Sequence, residues 1–137
     1  MDCKQGLLFI SALLMAAYCY PQKKNQQFQD ETTDKIIPSS KEWKATWNNQ
    51  IIARSKNTII VEGNTYFPPE SVQMEYLKST DYHTTCKWKG VASYYSLIVD
   101  DKENENAAWY YPEPKPEATI IKHYVAFYKG ISVEEEN

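Results

Sequence analysis

Residues 92–111, ASYYSLIVDDKENENAAWYY, carry the pattern that sets the fold class. Residues 92–99 are dominated by β-branched and aromatic side chains, the composition of a strand packed within a sheet. The charged run 100–106 reads as the turn that ends this strand, and residues 107–111 resume as strand. Trp109 and Tyr111 lie two apart and so share a face, with Ala107 as their small companion. Tyr94 and Tyr95 are adjacent, so one is expected in the core and the other on the opposite surface.

Working outward, the same period recurs. WKATW at 43–47 alternates strictly and places both tryptophans on one face, Asn48-Asn49 is turn chemistry, and 51–55 returns as the second strand of a hairpin. Residues 58–62 form another strand, ended by Gly63-Asn64. Consecutive prolines make 66–70 extended or turned, and 73–80 reads as loop or short strand. Three prolines within 112–116 mark a loop, with Pro116 placed at the first position of a short helix over 117–121. Residues 124–128 and 131–133 are expected to form a closing pair around Lys129-Gly130. The predicted fold is therefore mainly β: one compact domain of antiparallel sheets with at most one short helix.

Length and composition agree with this. At 137 residues the chain has room for one domain, and with 42% hydrophobic and 24% charged residues it is globular in composition. Eleven Tyr and four Trp supply large apolar areas from which a small domain can assemble a core. The net charge is −3 with no basic patch, which gives nucleic-acid binding no electrostatic support. Residues 1–19 contain an uncharged apolar run, GLLFISALLMAA, too short to span a bilayer comfortably and suited to a signal peptide, with cleavage expected after Cys19. Residues 20–41 are polar and read as a flexible arm, 42–134 as the folded domain, and 135–137 as an acidic tail. The expected product is a secreted protein, with no membrane segment in its mature form and Cys86 as its one remaining thiol.

Trp47, Ala53, Ser55, Glu62, Tyr66-Phe67-Pro68, Thr85-Cys86, Lys89-Gly90, Ala92, Tyr94-Tyr95, Ala107-Ala108-Trp109, Tyr111, Pro114 and residues 124–127 (YVAF) occur in an order that resembles the domain-of-unknown-function family 427. The likeness runs from about Trp43 to Val133, and Lys87 departs from it where the family usually has proline. The resemblance implies a β-tent-like fold, similar to that of methionine-R-sulfoxide reductases and of the ligand-binding domain of cereblon. It implies no characterised activity. The family also carries a nucleotidyltransferase-9 label, for which the chain offers no support. Enzymes of that kind hold metal with carboxylates alternating along one strand, whereas Asp100 and Asp101 are adjacent.

The candidate site residues are Glu62, Cys86, Lys89, Tyr94, Trp109 and Tyr111. If 86–90 is extended, Cys86 and Trp88 pack on one face and both lysines are solvated on the other. If it is a loop, both ammonium groups can approach the sulfur and activate it. The first function consistent with these residues is a small-molecule-binding module: a cleft walled by Trp and Tyr, with Lys89, Glu62 and Cys86 at its rim, suited to a flat or anionic ligand. The alternative is a thiol-dependent enzyme or redox protein using Cys86, with Glu62 or His83 as partner. Cys86, His83 and His123 make a poor zinc set, so no metal or other cofactor is expected.

Overall fold

The computed structural model describes residues 36–137, and within them the backbone is built from ten strands and short 3-10 turns. The strands are β1 (Ile36–Pro38), β2 (Glu42–Trp47), β3 (Gln50–Ser55), β4 (Ile59–Val61), β5 (Asn64–Tyr66), β6 (Leu77–Cys86), β7 (Gly90–Val99), β8 (Lys102–Tyr110), β9 (Val125–Phe127) and β10 (Ser132–Glu136). Three tight turns set the hairpins. Asn48-Asn49, Glu62-Gly63 and Asp100-Asp101 all have positive φ at both central residues, as a turn that continues strand twist requires. The charged turn expected over 100–106 is thus only two residues long, and strand resumes at Lys102.

The strands form three antiparallel sheets, ordered β1-β4-β5, β10-β2-β3 and β6-β7-β8-β9. The fold is mainly β, as expected, and the prolines of 112–116 lead into a 3-10 segment, Pro116–Ile121, where a short helix was predicted. Alternation along β7, β8 and β9 sends side chains to both faces of the four-stranded sheet. On one face Tyr95, Leu97, Val99, Tyr110, Val125 and Phe127 pack with Ala45, Ile52 and Ala53 of the β10-β2-β3 sheet. On the other, Ala92, Tyr94, Trp109, Tyr111 and Ala126 pack with Ile59, Val61 and Tyr66 of the β1-β4-β5 sheet. A bridge between Phe67 and Val125, with hydrogen bonds of 2.8 and 2.9 Å, ties the chain after β5 to β9.

Irregularities redirect side chains at three places. Ala45 faces Ala53 while Thr46 faces Ile51, so Ile52 is an extra residue, and both Ile52 and Ala53 turn inward. Opposite Tyr94, β6 bulges over residues 80–82. In β8 the bulge over 105–107 is held by the Asn106 N–H donating to the buried Ser96 hydroxyl at 3.0 Å, and by the Thr80 hydroxyl donating to Asn106 Oδ1 at 2.7 Å. This shift places Ala107 in the core on the Tyr95 face, not beside Trp109 and Tyr111 as strict alternation predicts.

Two further expectations give way to pairing partners distant in sequence. Residues 124–128 and 131–133 do not pair with each other: β9 joins β8, and β10 joins β2. The acidic run is a strand rather than a solvated tail. Glu136 meets Lys44 and Arg54, and Glu135 meets Lys41, so cross-strand charge pairs hold it in place. The folded unit also begins before the expected Glu42, because Ile36–Pro38 pairs with β4. The remaining leader and arm fall outside the described residues.

Candidate functional site

The hairpin between β6 and β7 places the densest chemistry. Strand β6 ends at Cys86, residues 87–89 form the connecting loop, and Gly90 opens β7 opposite Cys86. The loop reading of the sequence therefore holds over the extended one, but only in part. Lys87 is exposed and its carbonyl accepts a hydrogen bond from Lys115 Nζ at 2.6 Å, whereas Lys89 folds inward and is 6% exposed. Gly90 makes this possible. Its φ is +112°, and a Cβ there would lie 3.4 Å from the Glu113 carbonyl oxygen and 3.6 Å from Pro114 Cα. The proline-rich loop thus presses directly on the backbone of the hairpin, and the Lys115 N–H donates to the Lys89 carbonyl at 3.0 Å.

Burying an ammonium group is costly unless it is compensated. Lys89 Nζ donates to Glu62 Oε1 at 2.7 Å and stands 5.3 Å from the Trp88 ring centroid and 5.9 Å from that of Tyr111. Glu62 reaches it from the turn between β4 and β5, where its own φ is 52°. Desolvation works to lower the Lys89 pKa, but the hydrogen bond to Glu62 and the surrounding anionic-capable groups outweigh it, so the group titrates above its ordinary value. Lys89 is consequently a fixed cation, not a neutral amine nucleophile. Opposite charges thus meet at the pair, and of the two lysines it is Lys89, not the exposed Lys87, that departs from the solvated reading.

Around this pair stand hydroxyls and rings. The Trp109 indole N–H donates to the Tyr66 hydroxyl at 3.1 Å, with the two rings perpendicular at 6.1 Å. Burial pushes the Tyr66 and Tyr111 phenols up, so both stay protonated at neutral pH. Tyr94 shares a hydrogen bond of 2.9 Å with Thr84 and packs edge-on against Tyr82 at 4.8 Å. Tyr128 packs perpendicular to Trp109 at 5.2 Å. Cys86, partly exposed, packs against the same cluster, as do Trp88, Trp109 and Tyr124.

All six candidate residues from the sequence, Glu62, Cys86, Lys89, Tyr94, Trp109 and Tyr111, therefore lie on or beside one face of the four-stranded sheet. Tyr66, Trp88, Tyr82 and Tyr128 are additions. Tyr66 had a signal in the Tyr66-Phe67-Pro68 run, while the others required knowledge of which strands become neighbours. His83 is exposed, with Nδ1 3.2 Å from the Ala92 carbonyl oxygen, and His123 lines a different region. Among the described residues no three His, Cys, Asp or Glu side chains come together as a metal set, and Asp100 and Asp101 occupy an exposed turn. A concavity of about 380 Å³ lies on the opposite face, lined by Pro69, Met74, Tyr95, Tyr110, His123 and Val125. Its lining is mostly apolar, unlike the polar cluster on this side of the sheet.

With this geometry described, comparison with known proteins adds one match. The family model described as a domain of unknown function (DUF427) covers residues 35–137. No curated protein matches the chain. No helix among the described residues is long and apolar enough to cross a membrane.

Proposed function

Since the chain belongs to the domain-of-unknown-function family DUF427, which carries no assigned reaction, we propose from its own side chains that it is a small-molecule-binding module. Its site is the half-open face formed by Trp109, Tyr94, Tyr111, Trp88 and the Lys89–Glu62 pair. The observation that carries this reading is Lys89. A buried ion pair adds little to stability compared with apolar residues of the same volume, so its presence inside an aromatic cluster is better explained by recognition than by folding. Partly exposed tryptophans offer stacking area, and Glu62, whose side chain is 43% exposed, meets solvent at the rim. A flat ligand without net charge fits this balance best.

A thermal-shift screen of metabolites on the purified chain tests the reading. A ligand of this face raises the melting temperature of the wild type and of Tyr110→Phe, which alters only the opposite face, but not of Lys89→Met. A shift that survives Lys89→Met, or a diverse screen with no hit, sinks the proposal.

Cys86 keeps a second reading open, because its sulfur lies within electrostatic reach of Lys89, Tyr66 and Tyr111. Fast alkylation of the folded chain near neutral pH supports thiol chemistry, and alkylation only on unfolding removes it. Secretion is part of the same proposal and rests on the apolar leader. N-terminal sequencing of the protein recovered from culture medium tests it, with cleavage near Cys19 as the expected result.

A further inference from the structure

Resting on the reading of this face as a ligand site, we propose that the ligand presents a neutral carbonyl oxygen, as a planar amide does, to the donors of Lys89, Tyr66 and Tyr111. Lys89 has three N–H donors, and among the described residues one is used, by Glu62. The Tyr66 hydroxyl accepts from Trp109 and keeps its own proton to donate. Tyr111 is 5% exposed, and its hydroxyl makes no hydrogen bond among the described residues. Among the described residues the buried side-chain oxygen left without a partner is Thr58 Oγ1, so Tyr111 counts here only as a donor not yet used within the cluster.

Three donors of two kinds, one ammonium and two phenols, therefore belong to the cluster in which Glu62 is the carboxylate already engaged. Lys89 Nζ bonds Glu62 at 2.7 Å and stands 5.9 Å from the Tyr111 ring centroid, and Tyr66 and Tyr111 pack in one cluster. A carbonyl oxygen, with two lone pairs, accepts from two of these donors while its ring stacks on the indoles. A carboxylate fits less well, since Glu62 already neutralises Lys89 and a second negative charge would be desolvated without a counter-ion. An ammonium group fits worst, meeting donors with donors.

Benzamide, benzoate and benzylamine share one ring and differ only in the group offered, so they make direct probes. Their binding to the full chain is followed by tryptophan fluorescence and by ligand-observed NMR. The expected order places benzamide about tenfold tighter than either charged probe. Tyr111→Phe and Tyr66→Phe, which keep the ring and remove one donor, are each expected to erase most of that preference. Their thermal melts report whether folding is retained, and either variant alone suffices. Equal binding of all three probes, or tighter binding of a charged one, overturns the carbonyl inference and leaves the ligand site standing. A preference for benzamide that persists in both variants also overturns it, because the donors named here are then not responsible. Binding by none of the probes overturns it as well, while the site itself is judged by the separate metabolite screen.

Discussion

The two faces of the four-stranded sheet are built from alternate residues of the same strands, yet they differ in chemistry. The face carrying Tyr95, Leu97, Val125 and Phe127 is covered by the β10-β2-β3 sheet and filled by Ala45, Ile52 and Ala53, with Phe67 packed edge-on against Phe127 at 5.7 Å. The face carrying Tyr94, Trp109 and Tyr111 holds an ion pair, a thiol and several hydroxyls. Cover explains the difference. The strands of β1-β4-β5 are three residues long, about 10 Å each, and cannot roof strands of nine or ten residues. Trp88 and Trp109 are left half-buried and Tyr82 and Tyr128 exposed, so this face holds polar groups at a wet edge, whereas the opening on the opposite face, beside Tyr95 and Tyr110, is mainly apolar.

If one face is structural and the other is a site, substitutions should sort by face. The largest effect is expected from Phe127→Ala on the closed face, a loss of about 3–5 kcal/mol through lost burial and the cavity left behind, read by urea unfolding. A loss under about 1 kcal/mol would mean that this face repacks freely, and the contrast would fail. Gly90→Ala comes next, at about 1–3 kcal/mol, because the new Cβ meets positive φ and the 113–115 backbone together. It should also weaken ligand binding, since it moves the loop that carries Lys89.

Alkali sharpens the comparison differently, because both faces hold groups with raised pKa values. Tyr95, on the closed face, is pushed up to about 12, first by burial and then by Tyr110; Tyr66, Tyr111 and Lys89 on the open face are raised as well. For each, the folded state holds its proton more tightly than the unfolded one. Their stabilisation is therefore complete below the unfolded pKa near 10 and is lost as pH rises through the folded values. Unfolding should set in on going from about pH 10 to 12, with phenolate absorbance appearing together with loss of structure. Complete ionisation of all the tyrosines, Tyr66, Tyr95 and Tyr111 included, in a chain that stays folded would contradict this.

The smallest stability effect is expected at Lys89→Met. The substitution conserves volume, and the half-exposed Glu62 carboxylate left behind can hydrate, so stability should change by less than about 1 kcal/mol while ligand binding is lost. A large destabilisation with binding intact would make the pair structural and dissolve the contrast between the faces.

Much of this was legible in the chain itself. Asn48-Asn49 announced its hairpin because asparagine tolerates positive φ, and the aromatic and β-branched run of β7 announced a strand. Asp100-Asp101 was harder to read. The charged residues of β8 look like loop, but they lie on the outer half of a strand whose pairing to β7 satisfies the backbone regardless of side-chain polarity. Glu134 to Glu136 misled in the same way, since their backbone pairs with β2, while Lys44, Lys41 and Arg54, brought from elsewhere, meet Glu135 and Glu136. Ala107 was displaced by a bulge whose anchor, Ser96, is in another strand.

The sequence by itself determined the β class, the Asn48-Asn49 turn and the residue types of the six candidates, because period, turn chemistry and residue type are local properties. Which direction Lys89 takes, that Glu62 meets it at 2.7 Å, and which side of the sheet stays open were decided only by the tertiary structure. The physical reason is that a charge is buried or solvated according to neighbours that fold in from distant segments. Glu62, Tyr111 and the 113–115 backbone reach Lys89 through space, and nothing in its flanking residues records them.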